Sequence, residues 1–317
     1  MKKLLITRPV AEPVLEQART RFDVTLGETP LSEDAAAAAL GAYDLILPTL
    51  GDDFTAAAFE TAGRNPRCGI LGNFGVGYSH IDADAAAVHG VIVTNTPDVL
   101  TDATADIGMT LILATARRAG EGERMLRAGQ WGGFGPRVGL GTHVTGKVLG
   151  VVGMGRIGQA VAYRGHFGFS MPVIYFNRSK KAVDFPARQV GDLHELMREA
   201  DFIVITVPGG AANAGLIDRA ALAAMKPSGI LVNIARGEVV DEEALIEALE
   251  TGRIGGAGLD VYAHEPHVPE RLRALENCTL LPHLGSATVE TRQAMAQMAL
   301  DNIIAFAEGH APPQKVN

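Results

Sequence analysis

VLGVVGMGRIGQAVA, residues 148–162, sets an apolar run against three glycines, Gly153, Gly155 and Gly158, and then a helical pattern. It reads as a strand, a tight turn and the opening of a helix. In that setting Gly153 permits the sharp turn, Gly155 lets a pyrophosphate approach the backbone, and Gly158 lets the helix pack closely on the strand. The helix start offers N–H groups and a partial positive charge to phosphates. Glycine turns are common in a chain with 37 glycines, so the motif draws its weight from lying between this strand and this helix. A dinucleotide is the ligand it predicts.

Outward from the motif, β-rich runs alternate with helical stretches in both directions. On the N-terminal side the strands are 3–7, 22–26, 43–47, 68–71 and 91–94, with helices near 10–20, 32–40, 54–62 and 81–89 between them. On the C-terminal side the strands are 173–176, 202–207, 229–234, 256–260 and 279–281, with helices at 193–198, 218–225 and 242–249. Parallel strands need helical crossovers, so the alternation predicts an α/β protein with two doubly wound parallel sheets, Rossmann-like and flavodoxin-like. Pro97 and polar neighbours in NTPDVLT (95–101) mark a boundary, after which Asp102 is expected to cap one long helix, DATADIGMTLILATARRAGEGERML. Residues 129–147, glycine-rich and holding the only tryptophan, Trp131, read as an extended arm of the kind that forms an interface or a lid. A last helical segment spans 286–308.

Composition narrows the classes of function. The 317 residues suffice for two cores, and 47% hydrophobic with 20% charged residues is ordinary for a globular protein. A net charge of −8 and a pI near 5.6 argue against nucleic acid as a partner, since phosphate neutralisation needs clustered Lys and Arg. Cys68 and Cys278 are too few for a disulfide framework and lack metal-ligand spacing. No run reaches membrane-spanning length, and Arg8 and Pro9 interrupt the N-terminal apolar run too early for a signal peptide. The protein is expected in the cytoplasm, with no metal and no membrane contact.

Three polar residues sit just beyond strands of the second sheet: Arg236 in NIARGEVVDEEAL, Glu265 in GAGLDVYAHEP and His283 in LPHLGSAT. Singly, each has a plain alternative: a surface charge, the start of a turn before Pro266, a structural histidine. Jointly they occupy loops at one carboxyl edge, the edge that carries the glycine motif, where open α/β sheets bind ligands. An arginine there holds a carboxylate bidentately and polarises an adjacent carbonyl. A histidine paired with a glutamate is oriented, its protonated form is stabilised, and it exchanges a proton with an alkoxide as hydride arrives or leaves. This is 2-hydroxy acid dehydrogenase chemistry. His143, His166, His264 and His267 lack such a setting and are read as structural.

GVGYSHID, TDATADIGMTLILATARR, VVGMGRIGQAVA, NIARGEVVDEEAL, GAGLDVYAHEP and LPHLGSAT together resemble the D-2-hydroxyacid dehydrogenase family, nearest in pattern to glyoxylate/hydroxypyruvate reductases. The resemblance runs from about Leu71 to the end of the chain. It implies that Arg236 binds and polarises the substrate, that His283 is the general acid/base and that Glu265 is its partner. It implies further that Val76 and Gly77 offer N–H groups to the substrate carboxylate, with Leu50 and Gly51 lining the far side. Cofactor contacts would come from Arg156 and Ile157 at the pyrophosphate, Val207, Pro208 and Asn213 along the adenosine half, and Ile234, Ala235, Asp260 and Gly285 near the nicotinamide, with Thr104 also in the set. Asn213 stands where the family carries a threonine. By the same analogy residues 1–99 with 287–317 form the substrate domain and 100–286 the dinucleotide-binding domain, with an active-site cleft that hinge motion closes. A homodimer through the dinucleotide-binding domains is implied as well, with the arm at the interface and Trp131 within reach of the neighbour's substrate site.

Two readings concern specificity. An NAD enzyme carries an acidic side chain about 20 residues past the glycine loop. Here the strand ends 24 positions after Gly153 in Asn177, Arg178 and Ser179, followed by Lys180 and Lys181. Arg178 suits adenine stacking and a 2′-phosphate, with hydrogen bonds from Asn177 and Ser179, so NADPH is expected over NADH. The alternative is a solvated basic turn with Asp184 supplying the acid. Asp52 and Asp53 in the loop at 48–53, where a phosphorylated substrate would demand basic residues, point to a small unphosphorylated 2-oxo acid. Relatives acting on formate carry Gln in place of Glu265, and those acting on phosphonate need a lysine in GNFGVG (72–77); neither is present. The reading from another class is a dinucleotide-sensing corepressor of the same fold.

Overall fold

Short apolar runs separated by helices form two sheets in which every strand pairing is parallel. The computed structural model describes residues 1–317, and the chain divides into two units, Met1–Leu100 with Ala287–Asn317 and Thr101–Ser286. No helix is long and apolar enough to cross a membrane.

The first unit contains β1 (Lys3–Ile6), α1 (Glu12–Arg21), β2 (Asp23–Leu26), α2 (Glu33–Ala42), β3 (Leu45–Leu47), α3 (Ala56–Ala62), β4 (Ile70–Gly72), α4 (Ala83–Val88) and β5 (Ile92–Thr94), in the sheet order β2-β1-β3-β4-β5. Ser32, Thr55 and Asp82 cap α2, α3 and α4 by accepting from the third residue on, which fixes where each helix starts. The C-terminal helix Val289–Ala307 buries Ala296, Ala299, Leu300 and Ile303 among Leu4, Ile6, Leu45 and Ile70. Strand order reverses between β1 and β3, so the loops after those strands flank the crevice where such sheets take ligands.

The second unit contains α5 (Thr101–Ala116), α6 (Ala119–Arg127), β6 (Leu149–Val152), α7 (Arg156–Phe169), β7 (Val173–Phe176), β8 (Ala187–Val190), α8 (Leu193–Glu199), β9 (Phe202–Ile205), α9 (Arg219–Ala224), β10 (Ile230–Asn233), α10 (Glu242–Glu250), β11 (Gly256–Leu259), α11 (Glu270–Arg273) and β12 (Cys278–Leu280). The order β12-β11-β10-β9-β6-β7-β8 is that of a dinucleotide-binding sheet with one strand added, and it reverses between β6 and β9. Central strands are buried on both faces, as their unbroken apolar runs require.

Two sequence expectations change. The helix capped at Asp102 instead starts at Thr101 and ends at Ala116, and Arg118 takes a left-handed conformation, φ 52°, before α6. The Ala116 carbonyl, which would continue the helix, accepts from Thr142 N–H at 2.7 Å as the arm returns. Strand β8, unexpected from ARQV, is an edge strand paired only with β7 and so lacks an apolar signature.

Candidate active site

The glycine motif lies at the reversal point of the second sheet. Gly153 has φ +100°, and a Cβ there would stand 2.8 Å from Val207 N, so the turn after β6 runs hard against the chain leaving β9. A side chain at Gly158 would collide with the Gly153 carbonyl oxygen and Thr206 Oγ1. Gly155 differs: a Cβ there meets nothing within 4 Å. The backbone faces open space at the one glycine assigned to ligand approach. Gly155 caps α7 without a side chain, and Ile157 N–H in the first turn has no partner in the protein. Arg156 stands beside it at the start of the helix. A pyrophosphate therefore fits the residues present, held by backbone N–H groups and the helix end.

Other cofactor candidates line the same edge. Val207 and exposed Pro208 follow β9, and Asn213 Nδ2 donates to the Pro208 carbonyl at 2.9 Å, closing that loop on itself. After β7, Asn177 Oδ1 accepts from Met154 N–H at 3.2 Å and its Nδ2 donates to the Ser179 carbonyl at 2.7 Å. The Asn177 oxygen thus braces the glycine loop, while its NH2 serves the Ser179 carbonyl within the turn. Arg178 and Ser179 are exposed, and Arg178 makes no hydrogen bond or ion pair. Asp184 lies exposed in the β7–β8 connection. Ile234 and Ala235 are buried just past β10, and Gly285 neighbours the Asp260 carboxylate and buried Thr104.

Arg236, Glu265 and His283 follow β10, β11 and β12. His283 Nδ1 meets Glu265 Oε2 at 2.7 Å, both side chains about 30% exposed. The other carboxylate oxygen of Glu265 accepts from Tyr262 N–H at 3.1 Å. Burial alone would raise the Glu265 pKa, but His283, the Tyr262 N–H and the Arg236 charge outweigh it and hold the carboxyl below its ordinary range. Half-buried Arg236 donates to the Ala235 carbonyl. Burial lowers its pKa against the charges of Glu238 and Glu265, and a guanidinium stays cationic through such a shift.

Several of the contacts that hold these loops escaped the sequence reading. Asn233, 1% exposed, accepts from Ala235 N–H and donates to the Arg236 carbonyl, which shapes the turn presenting Arg236. An asparagine ending an otherwise apolar strand, ILVN, was the available signal. Gly237 packs so tightly on Tyr262 and Ala263 that any side chain would overlap their backbone, which ties the arginine loop to the glutamate loop. Asp260, expected near the nicotinamide, spends both carboxylate oxygens on Leu284 and Gly285 N–H at 2.6 and 2.8 Å. Its carbonyl also accepts His283 N–H at 2.9 Å, so Asp260 holds the histidine loop while His283 takes φ 53°. Desolvation raises the Asp260 pKa despite these bonds.

In the first unit, Leu50 and Gly51 lie in the loop after β3. Asp52 corrects an expectation: its carboxylate is fully buried, accepting from Thr49 N–H at 2.8 Å and Leu31 N–H at 2.9 Å, with Arg8 3.4 Å away. It folds the loop rather than giving it negative charge, and Arg8 brings a cation to the Leu50 carbonyl. Val76 and Gly77 follow β4, their N–H groups without partners in the protein. No group of three His, Cys, Asp or Glu side chains is placed to hold a metal ion.

Residues 109–285 match the family model described as D-isomer specific 2-hydroxyacid dehydrogenase, NAD binding domain. A glyoxylate reductase of Thermococcus kodakarensis is 43% identical, with 99% of this chain and 96% of the relative covered. Glyoxylate/hydroxypyruvate reductase B of Pectobacterium carotovorum is 48% identical over 80% of each chain. Among solved structures, an NADPH-dependent glyoxylate/hydroxypyruvate reductase of Sinorhizobium meliloti in complex with NADP and malonate has a TM-score of 0.89 at 34% identity, covering 99% of this chain and 96% of that one.

Proposed function

Because the chain belongs to the D-isomer specific 2-hydroxyacid dehydrogenase family, we propose that it reduces a small 2-oxo acid with NADPH, glyoxylate to glycolate or hydroxypyruvate to D-glycerate. The observation that carries the reading is the 2.7 Å contact between His283 Nδ1 and Glu265, on the sheet edge that also bears the glycine loop and Arg236. The bound nicotinamide supplies the hydride. Arg236 takes the substrate carboxylate and draws electron density from the neighbouring carbonyl. With Nδ1 committed to Glu265, His283 keeps Nε2 for the substrate and gives its proton to the oxygen that becomes the hydroxyl. In the oxidative direction the same nitrogen takes the proton back. Val76 and Gly77 N–H groups bind the carboxylate, and Leu50 and Gly51 border the far side of the substrate.

The finer assignments have separate supports. NADPH over NADH rests on exposed, unpaired Arg178 with Ser179 at the position where an NAD enzyme carries a carboxylate. A homodimer rests on the arm, where Trp131, Phe134, Val138 and Leu140 are all exposed, Phe134 at 93%. Two buried free cysteines fit a reducing, cytoplasmic setting. A panel of 2-oxo acids assayed with NADPH and NADH tests the whole reading. Turnover of glyoxylate or hydroxypyruvate with NADPH is expected, and cofactor binding without any turnover would favour a dinucleotide sensor instead.

A further inference from the structure

Three successive carbonyls of the loop after β4 are held by two asparagines. Asn73 Nδ2 donates to the Gly75 and Gly77 carbonyls at 3.1 and 3.2 Å, and Asn95 Nδ2 donates to the Val76 carbonyl at 3.0 Å. Thr96 N–H adds a second bond to the Gly75 carbonyl at 2.9 Å. In a planar trans peptide the C=O of one residue and the N–H of the next point in opposite directions. Holding the Gly75 carbonyl therefore turns Val76 N–H away from the asparagines, and holding the Val76 carbonyl does the same for Gly77 N–H. Neither N–H has an acceptor in the protein.

We propose that Asn73 and Asn95 are positioning residues that set these two amides for the substrate carboxylate, an inference resting on the reading that this loop binds it. Asn73 is fully buried, yet its Oδ1 has no hydrogen-bond partner. The side chain is engaged through its NH2 alone, as a donor to two carbonyls. Asn95 is fixed in turn by its N–H on the Gln314 carbonyl at 3.2 Å, and Gln314 N–H is held by Asn302 Oδ1 at 3.1 Å, so the C-terminal segment braces the loop.

Asn95→Asp keeps the volume of the half-buried side chain and removes the donor but adds a charge. Asn95→Leu, close in size and uncharged, is therefore measured beside it to separate loss of the donor from repulsion of the anionic substrate. KM for glyoxylate is expected to rise about tenfold or more, with kcat within about threefold of wild type and NADPH affinity unchanged. Asn73→Asp is expected to act in the same direction. A wild-type KM in Asn95→Asp, or a fall in kcat at constant KM, would overturn the proposal. Oxamate, an unreactive 2-oxo acid analogue, gives a readout independent of turnover: the Val76 and Gly77 amide resonances are expected to shift on its addition to wild type and to respond far less in the variants. A wild type that reduces no 2-oxo acid defeats the functional reading. Active wild type whose Val76 and Gly77 resonances ignore oxamate defeats the positioning role, even where the variants fail to fold.

Discussion

Replacing Glu265 by glutamine removes one charge from the histidine pair while keeping size and some hydrogen bonding. The carboxylate serves two donors at once, His283 Nδ1 at 2.7 Å and Tyr262 N–H at 3.1 Å, and a glutamine has only one oxygen for them. For charge centres about 4 Å apart at an effective dielectric near 20, the attraction is about 4 kcal/mol, and solvent access roughly halves it. A loss of about 2 kcal/mol corresponds to between one and two factors of ten in rate. The charge and the orientation that Glu265 gives His283 are both lost in the variant, so kcat/KM for glyoxylate is expected to fall by about ten- to a hundredfold. Glu265 also contributes to stability on the acid side. Because the folded-state pKa of Glu265 is depressed, its contribution to stability is present above the unfolded carboxyl's ordinary value and is lost only as pH falls through the depressed one. Steady-state kcat and kcat/KM for glyoxylate across pH 5 to 9 provide the assay. A kcat/KM for glyoxylate in Glu265→Gln within about threefold of wild type across this range would refute the pairing.

Arg178→Ala is expected to lower the NADPH-to-NADH ratio of kcat/KM by about ten to a hundredfold, the equivalent of one lost charge-assisted hydrogen bond; an unchanged ratio removes Arg178 from cofactor choice. Gly158→Ala forces a methyl group against the Gly153 carbonyl and is expected to cost about 1–3 kcal/mol, seen as a lower thermal midpoint, together with weakened NADPH binding by fluorescence titration. Light scattering at micromolar concentration is expected to give twice the 33.3 kDa chain mass, and replacing Phe134 and Leu140 together by serine is expected to yield monomer. A monomeric wild type would refute the interface.

What was legible in the sequence was carried by strong local signals. Alternating apolar runs and helices specify parallel sheets, and the spacing of Gly153, Gly155 and Gly158 specifies the turn between β6 and α7. Arg236, Glu265 and His283 stand out because polar residues that follow buried parallel strands fall on one edge. Side chains that brace loops through backbone bonds were not legible in that role. Asn73 and Asn233 bond backbone a few residues on, inside turns whose shape the sequence pattern does not fix, while Asn95 and Asp260 reach Val76 and Leu284, 19 and 24 positions away, across the assembled sheet. Asp52 was misread for the same reason: a carboxylate in a loop looks solvent-facing until the N–H groups of Thr49 and Leu31 are seen to converge on it. The helix break at Arg118 also comes from outside the segment, through Thr142, and β8 has no apolar stripe because it lies at an edge.

The central claim is proton transfer by His283 during NADPH-dependent reduction. Hydroxypyruvate incubated with NADPH and either wild type or His283→Ala, with the glycerate resolved by chiral chromatography, tests it most directly. The expected result is D-glycerate from wild type and a rate lower by about two or more orders of magnitude in the variant, with NADPH affinity nearly unchanged. Near-normal D-glycerate production by His283→Ala would contradict it.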